Sequence, residues 1–119
     1  MLPAARTLQC VYSPGDATIE NCTIRSDGYY AVYMTGGKLT LKDCVITGTG
    51  YFNNVIYSDN AGSTLTLCGK ITIEGGINRT AGLIICLEGT YNFNPTQYVD
   101  TDVYSITDDG SGSYTVTAK

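Results

Sequence analysis

Three acidic residues occur at comparable places along the chain and could do acid–base chemistry together: Glu20, Asp43 and Glu74. Glycoside hydrolysis uses two carboxyl groups held at a set separation across the bond that breaks. The three acids would serve that chemistry only if the fold placed them in one groove. Because Lys42 and Lys70 lie close by in the sequence, a solvated charged face is the other interpretation, and we expect no catalytic residue.

Five cysteines are the next candidates for chemistry: Cys10, Cys22, Cys44, Cys68 and Cys86. None lies in a C-x-x-C pair and the chain has no histidine, so a zinc site would need four of the five to converge. Cys22 and Cys44 occupy matching positions in two similar segments, where the spacing of neighbouring strands, about 4.8 Å, would permit a disulfide. Free cysteine also fills cores well. We expect a buried ladder of reduced thiols, with one disulfide as the alternative and no metal site.

Two pairs of aspartates near the C-terminal end offer oxygen ligands of the kind that Ca²⁺ prefers: Asp100 with Asp102, and Asp108 with Asp109. Their spacing differs from that of an EF-hand loop. Aspartate in such positions more often accepts hydrogen bonds from its own turn. We therefore interpret both pairs as turn residues.

Aromatic residues are concentrated next to Gly- and Asn-bearing turns, where their rings would be exposed. Tyrosine combines an apolar face, which stacks on sugar rings, with a polar hydroxyl group. The predicted ligand-binding residues are Tyr29, Tyr30, Tyr51 and Phe52. Tyr33 and Tyr57 have matching positions in two strand-like runs, and we expect them to stack on each other and contribute to stability.

The composition limits the function further. The chain has 119 residues, enough for one domain, and 7 Lys plus Arg against 11 Asp plus Glu, with no basic cluster for nucleic acid. No apolar run reaches the roughly 18 residues of a membrane span. The first six residues lack the charged start and apolar run of a secretory signal, so we expect any signal to lie outside these residues.

The elements that would position these residues are short strands that recur along the chain. The run at 18–24 aligns with the run at 40–46, so that Cys22 matches Cys44, and a third copy begins at Thr64 with one residue inserted. Apolar and polar residues alternate within them, as in a half-buried strand. Glycine-rich turns follow each copy.

A second set of short runs recurs between the first. Residues 31–34 match residues 54–57, and both match residues 82–86. Strand, turn, strand, turn with a period in the twenties is typical of a parallel β-solenoid. A small sandwich of antiparallel hairpins is the alternative.

The last part of the chain departs from this pattern. Pro95 cannot donate to a strand ladder and ends it. Tyr104 and Ile106 alternate with polar neighbours, as do Tyr114 and Val116, and a Gly-rich turn separates the two runs. This pattern predicts a β-hairpin.

The coil pattern GGKLTLKDCVITG at residues 36–48 resembles the right-handed parallel β-helix surface proteins of gut bacteria. The stretch from Gly89 to Val116 resembles their closing motif, an aromatic-rich segment followed by a hairpin. The resemblance covers residues 17–117, although Ser111 and Ser113 stand where Asp-Gly-Thr is more usual. It implies an extracellular or surface location and offers no catalytic residues to transfer.

We therefore predict an all-β chain with one domain, a right-handed parallel β-helix of about three to four coils over residues 1–91 and a capping hairpin over residues 92–119. We expect it to be the C-terminal piece of a larger protein. The predicted function is a non-enzymatic surface module, a stalk or adhesin, that binds glycan or a host or bacterial surface protein without a cofactor.

Two other functions are left open by the sequence. One is a fragment of a carbohydrate-active enzyme, lyase- or hydrolase-like, with its catalytic residues on further coils. The other is a purely structural trimer. The open N-terminal coil edge would also allow a homo-oligomer.

Overall fold

Most strands of this protein pair in parallel with a strand about twenty residues further along the chain. The computed structural model describes residues 6–8, 11–13, 15–26, 30–48, 54–58, 61–79 and 82–119. In those ranges it has thirteen strands and one 3₁₀ turn at Thr96–Tyr98. The strands are β1 (Arg6–Leu8), β2 (Val11–Ser13), β3 (Ala17–Glu20), β4 (Cys22–Ser26), β5 (Val32–Met34), β6 (Lys38–Lys42), β7 (Val45–Gly48), β8 (Asn54–Ser58), β9 (Thr64–Ile73), β10 (Gly76–Arg79), β11 (Leu83–Tyr91), β12 (Tyr104–Asp108) and β13 (Tyr114–Ala118).

The strands form two sheets. Nine strands make one sheet in the order β1-β4-β7-β9-β11-β13-β12, with β3 beside β6 and β6 also beside β9. The other four follow the order β10-β8-β5-β2. The predicted all-β class is confirmed, and so is parallel pairing between the recurring segments.

Alternation within the strands decides which side chains face the core. In β6, Leu39 and Leu41 are buried while Lys38 and Lys42 are exposed. Because pairing is parallel and in register, residues of one kind form lines across the sheet. Two buried lines run from β6 through β9 to β11, namely Leu39–Leu65–Ile84 and Leu41–Leu67–Cys86.

The chain bends sharply at three places that lie side by side. Asn21, between β3 and β4, has φ 55°, Asp43, between β6 and β7, has φ 54°, and Gly69, within β9, has φ 71°. Asn and Asp are the side-chain-bearing residues that best tolerate this left-handed conformation. We call each segment of strand, bend and strand a row (β3 with β4, β6 with β7, and the long β9) and its bend a corner. The Asp43 carboxylate also accepts a 2.8 Å hydrogen bond from the Lys70 N–H, so the corner residue of one row holds the backbone of the next.

The core is filled by buried residues of both sheets and of the segments next to their strands. They are Ile24, Ala31, Val32, Met34, Leu39, Leu41, Cys44, Ile46, Val55, Ile56, Leu65, Leu67, Ile71, Ile73, Ile84, Cys86, Tyr91 and Val116. Tyr91 is polar at its tip, and its one hydroxyl hydrogen is shared between two acceptors, the carbonyls of Leu87 at 2.7 Å and Leu67 at 2.9 Å. No buried side-chain nitrogen or oxygen in the described ranges lacks a hydrogen-bond partner.

The C-terminal strands pair differently from the rest. β12 and β13 form an antiparallel hairpin, and β13 also lies antiparallel to β11, with Gly89 opposite Val116. The hairpin predicted from the alternation of Tyr104, Ile106, Tyr114 and Val116 is therefore confirmed. It makes the larger sheet mixed rather than wholly parallel.

A side chain takes the place of a strand beside the end of β9. The N–H groups of Thr72 and Glu74 point toward β7, so the N–H and carbonyl of Ile73 point away from it. Asn92 binds both, accepting from Ile73 N at 2.8 Å and donating to Ile73 O at 2.8 Å. Its amide thus satisfies backbone groups that a further strand would otherwise pair.

One sequence-based match is wrong. Residues 82–86 were expected to match the run at 54–57, but β11 pairs with β9, and Leu83 lies opposite Thr64. The partner of β8 is instead β10, where Ile77 lies opposite Ile56. The cause is that β10 contains a single apolar residue, Ile77, too few to show a period of two.

Candidate functional site

A cluster of three tyrosines lies on the smaller sheet, which includes β5 and β8. Val32 and Met34 of β5 are buried, so Tyr33 between them faces outward. The parallel register places Tyr33 directly opposite Tyr57 of β8. Tyr30 precedes β5 and lies against the same two rings.

The three rings form one continuous aromatic surface. Tyr30 stacks on Tyr57 with centroids 4.6 Å apart and planes 21° apart. Tyr33 lies 5.2 Å from Tyr57 at 38° and 6.0 Å from Tyr30 at 56°. Tyr30 and Tyr33 are half-buried. Such offset contacts fix each ring while part of the surface remains open to solvent.

The line of residues containing Tyr33 and Tyr57 extends to the neighbouring strands. The register places Tyr12 of β2 opposite Tyr33 and Asn78 of β10 opposite Tyr57. Four strands thus contribute one residue each to this line.

Of the predicted ligand-binding residues, Tyr30 lies in this tyrosine cluster. Tyr29, Tyr51 and Phe52 lie outside the described residues, so their part of the site stays a prediction. The expected contact between Tyr33 and Tyr57 is confirmed, although the two rings are tilted by 38° rather than stacked. Their matching positions in two strand-like runs gave that signal, whereas Tyr30 lies outside those runs and gave no periodic signal.

The three acids do not all lie in one groove. Glu20 and Asp43 line a groove of about 580 Å³ with Lys42 and Lys70. Among the described residues Glu74 is not part of this lining, and its carboxylate accepts a 3.2 Å hydrogen bond from the Thr47 hydroxyl. One Asp43 oxygen is already bound by the Lys70 N–H.

The aspartate pairs near the C-terminal end bind their own turns. Asp100 accepts from the N–H of Asp102 at 3.1 Å, and Asp108 accepts from Gly110 at 2.8 Å. Asp109 accepts from both the hydroxyl and the N–H of Ser111, which lower the pKa of the Asp109 carboxyl group. The interpretation of both pairs as turn residues is confirmed.

Four cysteines lie in the described ranges, and all four are free thiols: Cys22, Cys44, Cys68 and Cys86. Cys10 lies outside those ranges. Cys44 and Cys86 are buried, and burial raises the pKa of both thiols. No cluster of three or more metal-ligating side chains occurs within the part of the chain that the structure describes.

Comparisons with protein-family models, with curated proteins and with solved structures found no match for this chain. In the described ranges there is also no helix of the length and apolar character that a membrane crossing requires.

Proposed function

We propose that the protein is a non-enzymatic extracellular or cell-surface module that binds carbohydrate through the cluster of Tyr30, Tyr33 and Tyr57. The observation that carries the proposal is the 4.6 Å stacking of Tyr30 on Tyr57, with Tyr33 alongside. Rings braced against each other lose little further freedom when a ligand binds, which favours affinity.

The proposal includes a right-handed parallel β-helix as the scaffold. Support comes from the registers, since β3, β6, β9 and β11 pair in parallel at steps of about twenty residues. A second set, β2, β5, β8 and β10, pairs at comparable steps. Successive turns of one coil would bring strands of each set side by side in this way.

Sugar rings have the surface that the tyrosine cluster would complement. A pyranose with equatorial substituents presents a face of C–H groups, which packs on aromatic rings, and a rim of hydroxyl groups. The tyrosine hydroxyl groups can both donate and accept hydrogen bonds at that rim. The expected ligand is thus a neutral oligosaccharide, consistent with the lack of a basic cluster in the sequence.

The enzyme alternative depends on the groove that Glu20 and Asp43 share. The proposal of a non-enzymatic module is supported by the role of Asp43, whose carboxylate binds a backbone N–H at the corner of the chain. This contact gives the Asp43 carboxylate a structural role, because it holds the backbone of the neighbouring strand.

A binding experiment with matched tyrosine variants tests the proposal. The wild-type protein is screened against mucin-type oligosaccharides and plant polysaccharide fragments by thermal shift, and hits are titrated by calorimetry. Tyr57→Ala removes the ring that makes the two closest contacts of the cluster, and we expect it to weaken binding by about tenfold or more. Tyr114→Ala, at a half-buried tyrosine of β13, is the control and should bind as wild type.

Circular dichroism of each variant verifies that its fold is retained. Absence of any concentration-dependent shift from either class of glycan would contradict the proposal. An equal loss of binding in Tyr57→Ala and Tyr114→Ala would place the ligand elsewhere and contradict it as well.

A further inference from the structure

Cys22 and Cys44 lie at the same place in two adjacent rows. Glu20 is opposite Lys42 on one side of the corner, and Thr23 is opposite Val45 on the other. Both pairs have the same separation along the chain, so the register continues unchanged across the corner and places Cys22 opposite Cys44. A backbone hydrogen bond from Asn21 N to Lys42 O at 2.9 Å ties the two rows together there.

The two thiols point the same way from their rows. The Cys22 thiol donates to the carbonyl two residues before it, Glu20 O, at 3.2 Å. The Cys44 thiol makes the equivalent contact with Lys42 O at 3.3 Å. Matching contacts at equivalent positions indicate the same side-chain orientation in both residues.

The Cys44 sulfur also reaches into the row of Cys22. It lies 3.6 Å from the carbonyl of Ile19, three positions before Cys22. Adjacent strands are about 4.8 Å apart, within the roughly 4.4–6.8 Å between Cα atoms that a disulfide spans. The register therefore meets the Cα requirement for a cross-link, and the two thiols lie on the same side of their rows.

We propose that Cys22 and Cys44 form a reversible disulfide between adjacent rows, with a peroxide as the oxidant. Cys22 is the thiol that reacts first, because it is half-buried at an exposed corner whereas Cys44 is fully buried. Cys44 is the resolving thiol. The inference concerns the scaffold and is independent of carbohydrate binding.

The chemistry balances with two thiols and one peroxide. The Cys22 thiol loses its proton and the thiolate attacks one peroxide oxygen. The O–O bond breaks, Cys22 becomes a sulfenic acid, and the hydroxide that leaves takes up the thiol proton to form the first water. The Cys44 sulfur then attacks the Cys22 sulfur, the S–S bond forms, and the S–O bond breaks to release the second water. Two thiols are oxidised by two electrons, and hydrogen peroxide is reduced to two waters.

Other described cysteines lack this relationship. Cys68 is opposite Lys42, and Cys86 is opposite Leu67. The proposal therefore predicts one specific cross-link rather than general oxidation of the thiols. It also predicts that three of the five thiols remain free after mild oxidation.

Peptide mapping of the whole chain, without any mutation, tests the proposal. The protein is treated with stoichiometric hydrogen peroxide, free thiols are alkylated, and the chain is cut with proteases specific for Lys or Arg, for Glu and for Asp. Cleavage at Glu20 separates Cys22 from Cys10, and cleavage at Asp59 separates Cys44 from Cys68. We expect one peptide pair linked through Cys22 and Cys44, cleaved by dithiothreitol.

Thermal denaturation gives a second measurement. The cross-link closes a loop of roughly twenty residues, so the oxidised protein should melt on the order of 10 °C above the reduced protein. Cys44→Ala should abolish this difference, and Cys86→Ala should retain it. Three outcomes would each overturn the proposal. They are alkylation of all five thiols after peroxide treatment, a disulfide between a different pair of cysteines, and oxidation of Cys22 beyond the sulfenic acid without a cross-link.

Discussion

Gly69 and Gly110 share a backbone conformation but differ in surroundings. Their φ angles are 71° and 84°, and both favour glycine. A Cβ atom at Gly69 would clash with the Asp43 carboxylate, whereas one at Gly110 would meet nothing within 4 Å. The Asp43 side chain cannot move aside without losing its hydrogen bond to the Lys70 N–H.

We therefore expect Gly69→Ala to lower the free energy of unfolding by about 3 kcal/mol, and Gly110→Ala by about 1 kcal/mol. Urea denaturation of the two variants and the wild type measures both values. Equal losses would show that the backbone conformation alone sets the cost and that the Asp43 contact contributes nothing.

The burial and pairing of individual residues were predictable where a repeating sequence pattern specified them. The burial of Leu39 and Leu41 follows from alternation, and the pairing of Tyr33 with Tyr57 follows from matching positions. Aligning the cysteines of the recurring segments does not place Cys68 opposite Lys42. The reason is that β9 contains one more residue at its corner than the preceding row, β6 with β7. Tyr30 was placed in a turn, whose packing no pattern in the sequence specifies.

At the level of elements, the amide of Asn92 completes the hydrogen bonding of β9. Asn92→Asp keeps the acceptor for Ile73 N but replaces the donor to Ile73 O with a second oxygen. We expect this change to lower the free energy of unfolding by about 2 kcal/mol, because a carbonyl loses its partner and faces a carboxylate. Chemical denaturation at neutral pH is the measurement.

Asn94→Asp is the matched control for that change. The Asn94 side-chain oxygen accepts from the N–H of Thr96 at 3.0 Å, and aspartate retains that acceptor. Its effect should stay within about 0.5 kcal/mol. If both substitutions had the same small effect, Asn92 would not be stabilising the end of β9.

The strands themselves were predictable to different degrees. The hairpin of β12 and β13 has alternation on both sides of a Gly-rich turn, and the alternating residues from which it was predicted lie within its two strands. By contrast β10 was not predicted as a strand. Gly75 and Gly76 indicate a turn at its start, and Ile77 is its sole apolar residue. Pairing with β8 overrides that weak local preference.

At the level of the whole molecule, a buried thiol and a buried tyrosine hydroxyl group make the free energy of unfolding depend on pH in the alkaline range. Burial raises the pKa of the Cys86 thiol from 9.0 to about 12, against a smaller lowering by its hydrogen bond with Tyr91. Burial, with the nearby charge of Cys86, also raises the pKa of the Tyr91 hydroxyl group. The folded state therefore holds these protons more tightly than the unfolded chain does.

The contribution of Cys86 is fully present below pH 9 and is lost as the pH rises from 9 to about 12. We expect the free energy of unfolding to fall there by about 1.4 kcal/mol per pH unit for each such proton. Denaturation curves across this range should show a shallower slope for Cys86→Ala than for wild type. The same reduction in Cys22→Ala, a thiol at an exposed corner, would argue against this origin.

The fold class of the molecule was predictable and its ligand was not. Short alternating runs that recur along the chain, such as those leading to Cys22 and Cys44, sufficed for an all-β chain with parallel pairing. The proposed ligand depends on the packing of Tyr30 beside Tyr33 and Tyr57, which is a property of the folded surface. The coil arrangement and the carbohydrate ligand therefore stay proposals.

The distance along the chain between strand partners has a consequence for folding kinetics. Parallel partners are remote, as in the pairing of Val45 with Thr72, whereas hairpin partners such as Asp108 and Tyr114 are close. The hairpin can close within microseconds, before any parallel contact exists. Two parallel rows can pair only after the long segment between them has lost conformational entropy. This cost slows folding toward milliseconds to seconds. The earliest ordered structure should therefore be at the C-terminal hairpin, with the parallel rows forming after it.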